Sequence, residues 1–327
     1  MIEIKRYTPQ EKQDWNDFVA KSRQGTFLFD RNYMDYHQDR FHDHSLMIFY
    51  NGKLCALLPA NEVVDKTLVS HQGLTYGGLL TCNKMTAAIT CQVFDAINIY
   101  LKERGFQKVI YKAIPWIYHN IPSEEDLYAI MQTCKARLLA REISTTIPLM
   151  HKLRFSEQRR RGIHKANRCN LSIHEANMND IWEFWNILNT NLQHKYHTAP
   201  VHTYEELKLL MTRFPENIKG YVVKDAENHN VLAGSLIYIT PQVTHTQYIA
   251  ASPQGKEEGA LDLLFDELIN QKQWNTTYFD FGKSTEQQGT YLNENLIHQK
   301  EGFGGRGVVY DTYEWEPVSY THLTLPT

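Results

Sequence analysis

The stretch NENLIHQKEGFGGRGVVYDTYEW, residues 293–315, decides the fold. Leu296, Ile297 and Lys300 fall at helical spacing, and Gly302 stands where a helix ends in a left-handed residue. Val308, Tyr310, Thr312 and Glu314 then alternate with Val309, Asp311, Tyr313 and Trp315. The pattern predicts an amphipathic helix, an abrupt glycine stop and a closing β-hairpin. Gly302, Gly304 and Gly307 spell G-x-G-x-x-G, which binds a pyrophosphate when it follows a strand and opens a helix. Here a helix precedes it and a strand follows, so the context rejects a dinucleotide site.

Outward from this stretch, the element order occurs twice. In the first half a strand at 2–7 leads to helices at 15–20 and 33–39. Strands follow at 46–50, 54–61 and 68–80, then a helix at 86–104, a strand at 108–113, a helix at 124–134 and a strand at 138–146. The second half repeats the programme with a strand at 171–175, helices at 181–192 and 204–213, and strands at 220–224, 231–240 and 244–250. A helix at 260–271, a strand at 277–282 and the terminal helix and hairpin complete it. Two copies of one order imply two similar α/β (α+β, mixed-sheet) domains, 1–150 and 151–317. A length of 327 residues suits two cores. Residues 318–327, VSYTHLTLPT, follow a finished strand without any pattern and read as a non-native tail.

A formal charge of -3 does not suggest a global nucleic-acid or polyanion binder and gives no reason to expect DNA as a partner. The five cysteines are odd in number and scattered without C-x-x-C pairs, which fits a reducing cytoplasm. No apolar run approaches the roughly 18 residues needed to span a bilayer. The pairs His42 and His44, and His194 and His197, lack third and fourth ligands nearby, so no metal site is expected. No G-x-S-x-G, P-loop or H-E-x-x-H occurs. Between the halves, Lys152, Arg154, Arg159, Arg160, Arg161, Lys165 and Arg168 face only Glu157. Two readings stand: a solvated interdomain helix, or a phosphate-facing strip in which Arg160 meets substrate.

The segments RRRGIHKANRCNL at 159–171, YFDFGKS at 278–284 and NLIHQKEGFGGR at 295–306 resemble the GNAT acyltransferase superfamily, and within it the tandem FemAB-like branch with its BioF2-like acetyltransferase domains. The resemblance implies two tandem GNAT-like domains and a donor ester or thioester lying between the fourth and fifth strands of a domain. In the second half these are 244–250 and 277–282. Splayed strands leave amides and carbonyls that can pair with an extended pantetheine-like arm, and a helix N-terminus can hold phosphates. Tyr248, Ala250, Gly255, Lys256 and Gly259 are the cofactor-binding candidates, with acyl-CoA as the donor. The sequence departs from the superfamily's R/Q-x-x-G-x-G/A: it reads SPQGKEEGA at 252–260, where Gly255, Lys256 and Gly259 suit a looser anion nest while Glu257 and Glu258 oppose a pyrophosphate. An aminoacyl-tRNA donor, used in part of the FemAB-like branch, therefore stays open.

Acyl transfer to an amine needs a base, an oxyanion stabiliser and an acid. Asp280, on the strand face shared by Tyr278 and Gly282, is the candidate base, and an apolar strand end predicts a raised pKa. The competing reading is a turn cap through Lys283 and Ser284. The resemblance implies an acid four residues before the Gly302-Phe303 pair, where this chain has His298. It also implies that Lys300 lies near the reacting carbonyl; a helix-end cation is the alternative. Tyr291 and Asn293 open that helix as substrate contacts, Asn293 equally as an N-cap. Lys283 and Ser284 complete this substrate set. In the first half, Tyr76 before Gly77-Gly78, with His71, forms an acceptor-site candidate or a simple bulge. The expected function is transfer of an acyl group from acyl-CoA to an amine on a small molecule or cell-wall precursor. The alternatives are aminoacyl-tRNA-dependent transfer onto a cell-wall precursor, and a non-catalytic ligand-binding pair.

Overall fold

A computed structural model describes residues 1–317. The expected non-native tail, 318–327, lies outside the described residues. The chain forms two compact units: Met1–Glu142 with Gln287–Thr290 and the residues from Val309 on, and Ile143–Glu286 with Tyr291–Val308. The expected boundary near 150 falls at Glu142–Ile143 and the chain changes unit three more times, the last because the terminal strand Arg306–Trp315 starts in the second unit and ends in the first. The physical reason is the side chain it delivers. Trp315 is buried against Phe94 and Tyr111, and its indole N–H donates to Asn98 Oδ1 at 2.9 Å.

In the first unit Ile2–Arg6, Leu46–Tyr50, Lys53–Leu58 and Leu80–Thr81 form an antiparallel sheet. Lys108–Lys112 pairs antiparallel with the terminal strand and parallel with Thr67–Val69. Thr86 caps Ala87–Glu103, whose Val93, Phe94, Ile97 and Leu101 recur at helical spacing and are buried. The expected strand at 68–80 is broken. Only Thr67–Val69 and Leu80–Thr81 are extended ladder, since a Cβ on Gly77 would stand 1.8 Å from the Ser70 carbonyl and Gly78 has φ +97.

In the second unit the strand order is Ser172–Glu175, Ile218–Lys224, Val231–Ile239, Val243–Ala251, Tyr278–Lys283 and Arg137–Pro148. Neighbours run antiparallel, except that Val243–Ala251 and Tyr278–Lys283 are parallel. The helix Met178–Tyr196 presses Phe184 and Ile181 onto Gly234 and Gly220 on one face. On the other face Phe265, Phe279, Phe281 and Phe303 interlock with centroids 4.9–6.3 Å apart, and each such burial contributes ~2 kcal/mol.

Three local expectations change. The expected helix at 260–271 is preceded by a separate helix, Pro253–Glu258, and finishes in a π turn at Glu267–Gln271. Gly302 is right-handed at φ -58, wedged beside Ser156 and Arg159; Gly304, at φ +87, makes the left-handed turn. The closing hairpin is a single ten-residue strand, because nothing between Arg306 and Trp315 interrupts its alternation.

Candidate active site

The two central strands of the second unit part company after three residues. Val243, Thr244 and His245 pair with Tyr278, Phe279 and Asp280, and the ladder stops there although Val243–Ala251 runs on for six more residues. Two local features separate them. Gln247 is an extra residue opposite Leu236 and Ile237, bulging the first strand. Gly282 takes φ +74 and turns the second, and register with Arg137–Pro148 also shifts between Asp280 and Lys283. Residues 246–251 keep their partners on Val231–Ile239, so among the described residues one edge of this segment is left without a strand.

Asp280 sits at the fork. It is wholly buried and accepts from Ser144 Oγ at 2.5 Å, Thr146 Oγ1 at 2.7 Å and the Gly282 N–H at 3.3 Å, while His245 Nδ1 lies 2.8 Å from its second oxygen. The raised pKa expected for Asp280 is overturned. Burial pushes it up, but the His245 hydrogen bond and charge, with the Ser144 and Thr146 hydroxyls, hold the carboxyl below the usual carboxylate range. A carboxylate with these partners orients the imidazole beside it and stabilises charge there. With Nδ1 bound to Asp280, the Cε1–Nε2 edge of His245 faces Gly282, where an added Cβ would meet Cε1 at 3.2 Å.

Lys300 completes this cluster. It is 5% exposed, and its ammonium donates to the carbonyls of Gly282 and Lys283, both at 2.8 Å. Burial pushes its pKa down to about 8, with Asp280 opposing the shift. The charge is thus held on the turn that separates the strands. Ser284 and Thr246, next to this turn and to His245, carry buried hydroxyls without a hydrogen-bond partner.

His298 is not part of this cluster. It lies two positions from Lys300 on Glu294–Glu301, and residues i and i+2 do not share a helix face. It is exposed and lines a separate cavity of about 350 Å³ with Arg159, Gly255, Lys256, Gly259 and Asp262. Three cofactor candidates meet there, but as an anion nest they are spent. The Gly255 N–H donates to Ser252 Oγ, the Lys256 N–H to the Ser252 carbonyl and the Gly259 N–H to the Gly255 carbonyl. The basic helix Glu157–Arg168 closes over them, with the Gly162 carbonyl 2.5 Å from a Cβ built on Gly259. Asp262 occupies the first turn of Ala260–Asp266, paired with Arg159 at 2.7 Å.

Tyr248 points away from the fork, packed on Trp185 at 5.1 Å with its hydroxyl 2.7 Å from His202 Nδ1. Ala250 lies on the unpaired edge segment, opposite Gly234. Asn293 caps its helix through the Leu296 N–H and donates to Glu286, while Tyr291 is half exposed. Lys283 contributes its carbonyl to Lys300. Arg160 pairs with Glu157, leaving Nε buried without a partner. Tyr76 is a core residue, 2% exposed, packed on Phe29 and Tyr118. His71, equally buried, lines a cavity of the first unit.

His245, Ser144 and Thr146 were missed by the sequence. The available signal was the polar run Thr244-His245-Thr246-Gln247 inside the strand Val243–Ala251.

This fold, with a parted strand pair in its second unit, is similar to that of FemX and of tandem GNAT proteins. FemX aligns over 97% of this chain and 98% of its own at TM-score 0.67 and 8% identity. The L-PGS of Bacillus licheniformis gives 0.58 at 14% identity, covering 94% and 92%. A tandem GNAT protein of the clavulanic acid biosynthesis pathway gives 0.52 at 8%, covering 97% and 99%. At these identities the likeness is one of fold. No family model and no curated protein matches the sequence. Among the described residues no helix is long and apolar enough to cross a membrane.

Proposed function

We propose that this chain is an N-acyltransferase that moves an acyl group from an ester or thioester carrier to an amine, with the donor carbonyl entering between residues 246–251 and the turn at Gly282. The observation that carries this reading is the ladder that ends at His245 and Asp280 while both strands continue. The unpaired strand edge offers backbone hydrogen bonds to an extended donor arm. His245 takes the proton of the incoming amine as the C–N bond forms and gives it to the departing carrier thiol or hydroxyl as the C–S or C–O bond breaks, while Asp280 holds the imidazole and balances the charge it acquires. Lys300 places a positive charge at the same turn, where an oxyanion develops.

Acyl-CoA is the first donor reading, with the carrier phosphates bound outside the Gly255–Gly259 turn. The occupied amides of that turn favour a second, an aminoacyl ester on tRNA, which needs no pyrophosphate nest there. A small molecule or cell-wall precursor bearing an amine is the acceptor. Free-thiol release from a panel of acyl-CoAs, run beside transfer of labelled amino acid from charged tRNA, tests both. Turnover in either, lost in His245→Gln, supports the reading. Ligand binding without turnover in both would leave a binding module instead.

A further inference from the structure

The first unit holds a cavity of about 580 Å³ between the start of the chain and the short helix Arg31–Met34, lined among others by Arg6, Tyr7, Lys12, Arg31, Phe41 and His71. Arg31 is the unusual member, 1% exposed and held face-on by Tyr7 at 3.5 Å and Trp15 at 4.1 Å. One end of its guanidinium is used: Nη1 bonds Asp43 at 2.5 Å and lies 3.6 Å from Asp35. The other edge, Nε with Nη2, has no hydrogen-bond partner among the described residues. That edge forms the two-pronged fork that fits a carboxylate or phosphate, and leaving charged donors buried and unmade is costly. His71, 2% exposed on the same cavity, also has Nδ1 without a partner.

Charge and shape narrow the occupant. Arg6, Lys12 and Arg31 face Asp35 and Asp43 around the cavity, leaving one positive charge in excess. A monoanion neutralises it and a dianion overshoots. The His37 and His71 rings stack at 5.6 Å, and Phe41 meets them edge-on at 4.7 and 5.5 Å, a wall suited to a flat organic body.

The geometry points to a binding site in the first unit for a singly charged oxyanion, carboxylate or phosphodiester, borne on a small ring-containing molecule and read by the Nε–Nη2 edge of Arg31. The site does not rest on the acyl-transfer reading, since binding is measured without turnover.

Calorimetric titration of the full chain with benzoate, with methyl phenyl phosphate and with uncharged benzamide tests it, alongside histidine ring signals by NMR. One or both anions should bind at least about tenfold more tightly than benzamide, the difference a charged fork supplies, and should shift His71. The better anion identifies the source. Arg31→Lys keeps the charge but loses the fork, and should weaken the anion by a similar factor. If that variant fails to fold, the wild-type preference and the His71 shift decide alone. Equal binding of benzamide, undiminished binding by folded Arg31→Lys, binding that leaves His71 unshifted, or no anion binding at millimolar concentration overturns the proposal.

Discussion

His245 and Asp280 are register partners on parallel strands, and their side chains meet at 2.8 Å on the last rung before those strands separate. Asp280 is thus the final paired residue and the one buried carboxylate at the fork, so its loss should affect both folding and transfer.

Asp280→Asn keeps the shape but removes the charge beside His245. It should cost ~1–3 kcal/mol in urea unfolding and lower the transfer rate by roughly a hundredfold or more. An unaltered rate would remove the dyad from the chemistry.

Asp280 also sets an acid limit. Its folded pKa is depressed, so its contribution is complete above the ordinary carboxylate value of about 3.9 and is lost as pH falls through the folded value. Wild-type stability should therefore drop more steeply than that of Asp280→Asn below about pH 4. Parallel curves from acid unfolding would contradict this.

Lys300 gives the opposite edge. Its folded pKa of about 8 lies below the unfolded value, so the unfolded chain binds more protons between the two. Stability should rise with pH from about 8 to about 10.4, by on the order of 3 kcal/mol from this group. Lys300→Met should flatten that rise, read by denaturant midpoints at a series of pH values.

Gly282→Ala forces a side chain into φ +74 and 3.2 Å from the His245 ring. We expect a loss of ~1–2 kcal/mol from the backbone alone. Activity should fall with it, since the added carbon pushes on the imidazole. Thermal melts and rates on the same preparation check both.

Arg159 and Asp262, each 13% exposed, form the pair that fills the expected phosphate position. Arg159→Ala should destabilise by ~3–5 kcal/mol because it strands a buried carboxylate, and adding Asp262→Ala should recover part of that loss. An additive double mutant would mean that the two do not interact.

Much of the architecture was legible because it is local. Tyr204–Arg213 and Leu46–Tyr50 fall where their periodicity places them, and Thr86 marks the start of its helix by cap chemistry. The 68–80 segment misled because its apolar composition resembles a strand, while the close approach of Gly77 to Ser70 is a tertiary fact. The anion nest misled for a similar reason, since its three glycine and lysine amides are taken by the six-residue helix Pro253–Glu258 and its cap, which the sequence did not reveal.

The sequence by itself determined the repeated element order and the likeness to acyltransferase folds, and it marked Asp280 and Lys300 as candidates, because periodicity, caps and motif spacing act over a few residues. Only the tertiary structure decided that Asp280 is an ionised, hydrogen-bonded anchor and that His245 stands beside it. Its partners His245, Thr146 and Ser144 lie 35, 134 and 136 residues away, and sheet pairing brings them to one point. A pKa follows from what surrounds a group, and across such separations that is set by the register of strands.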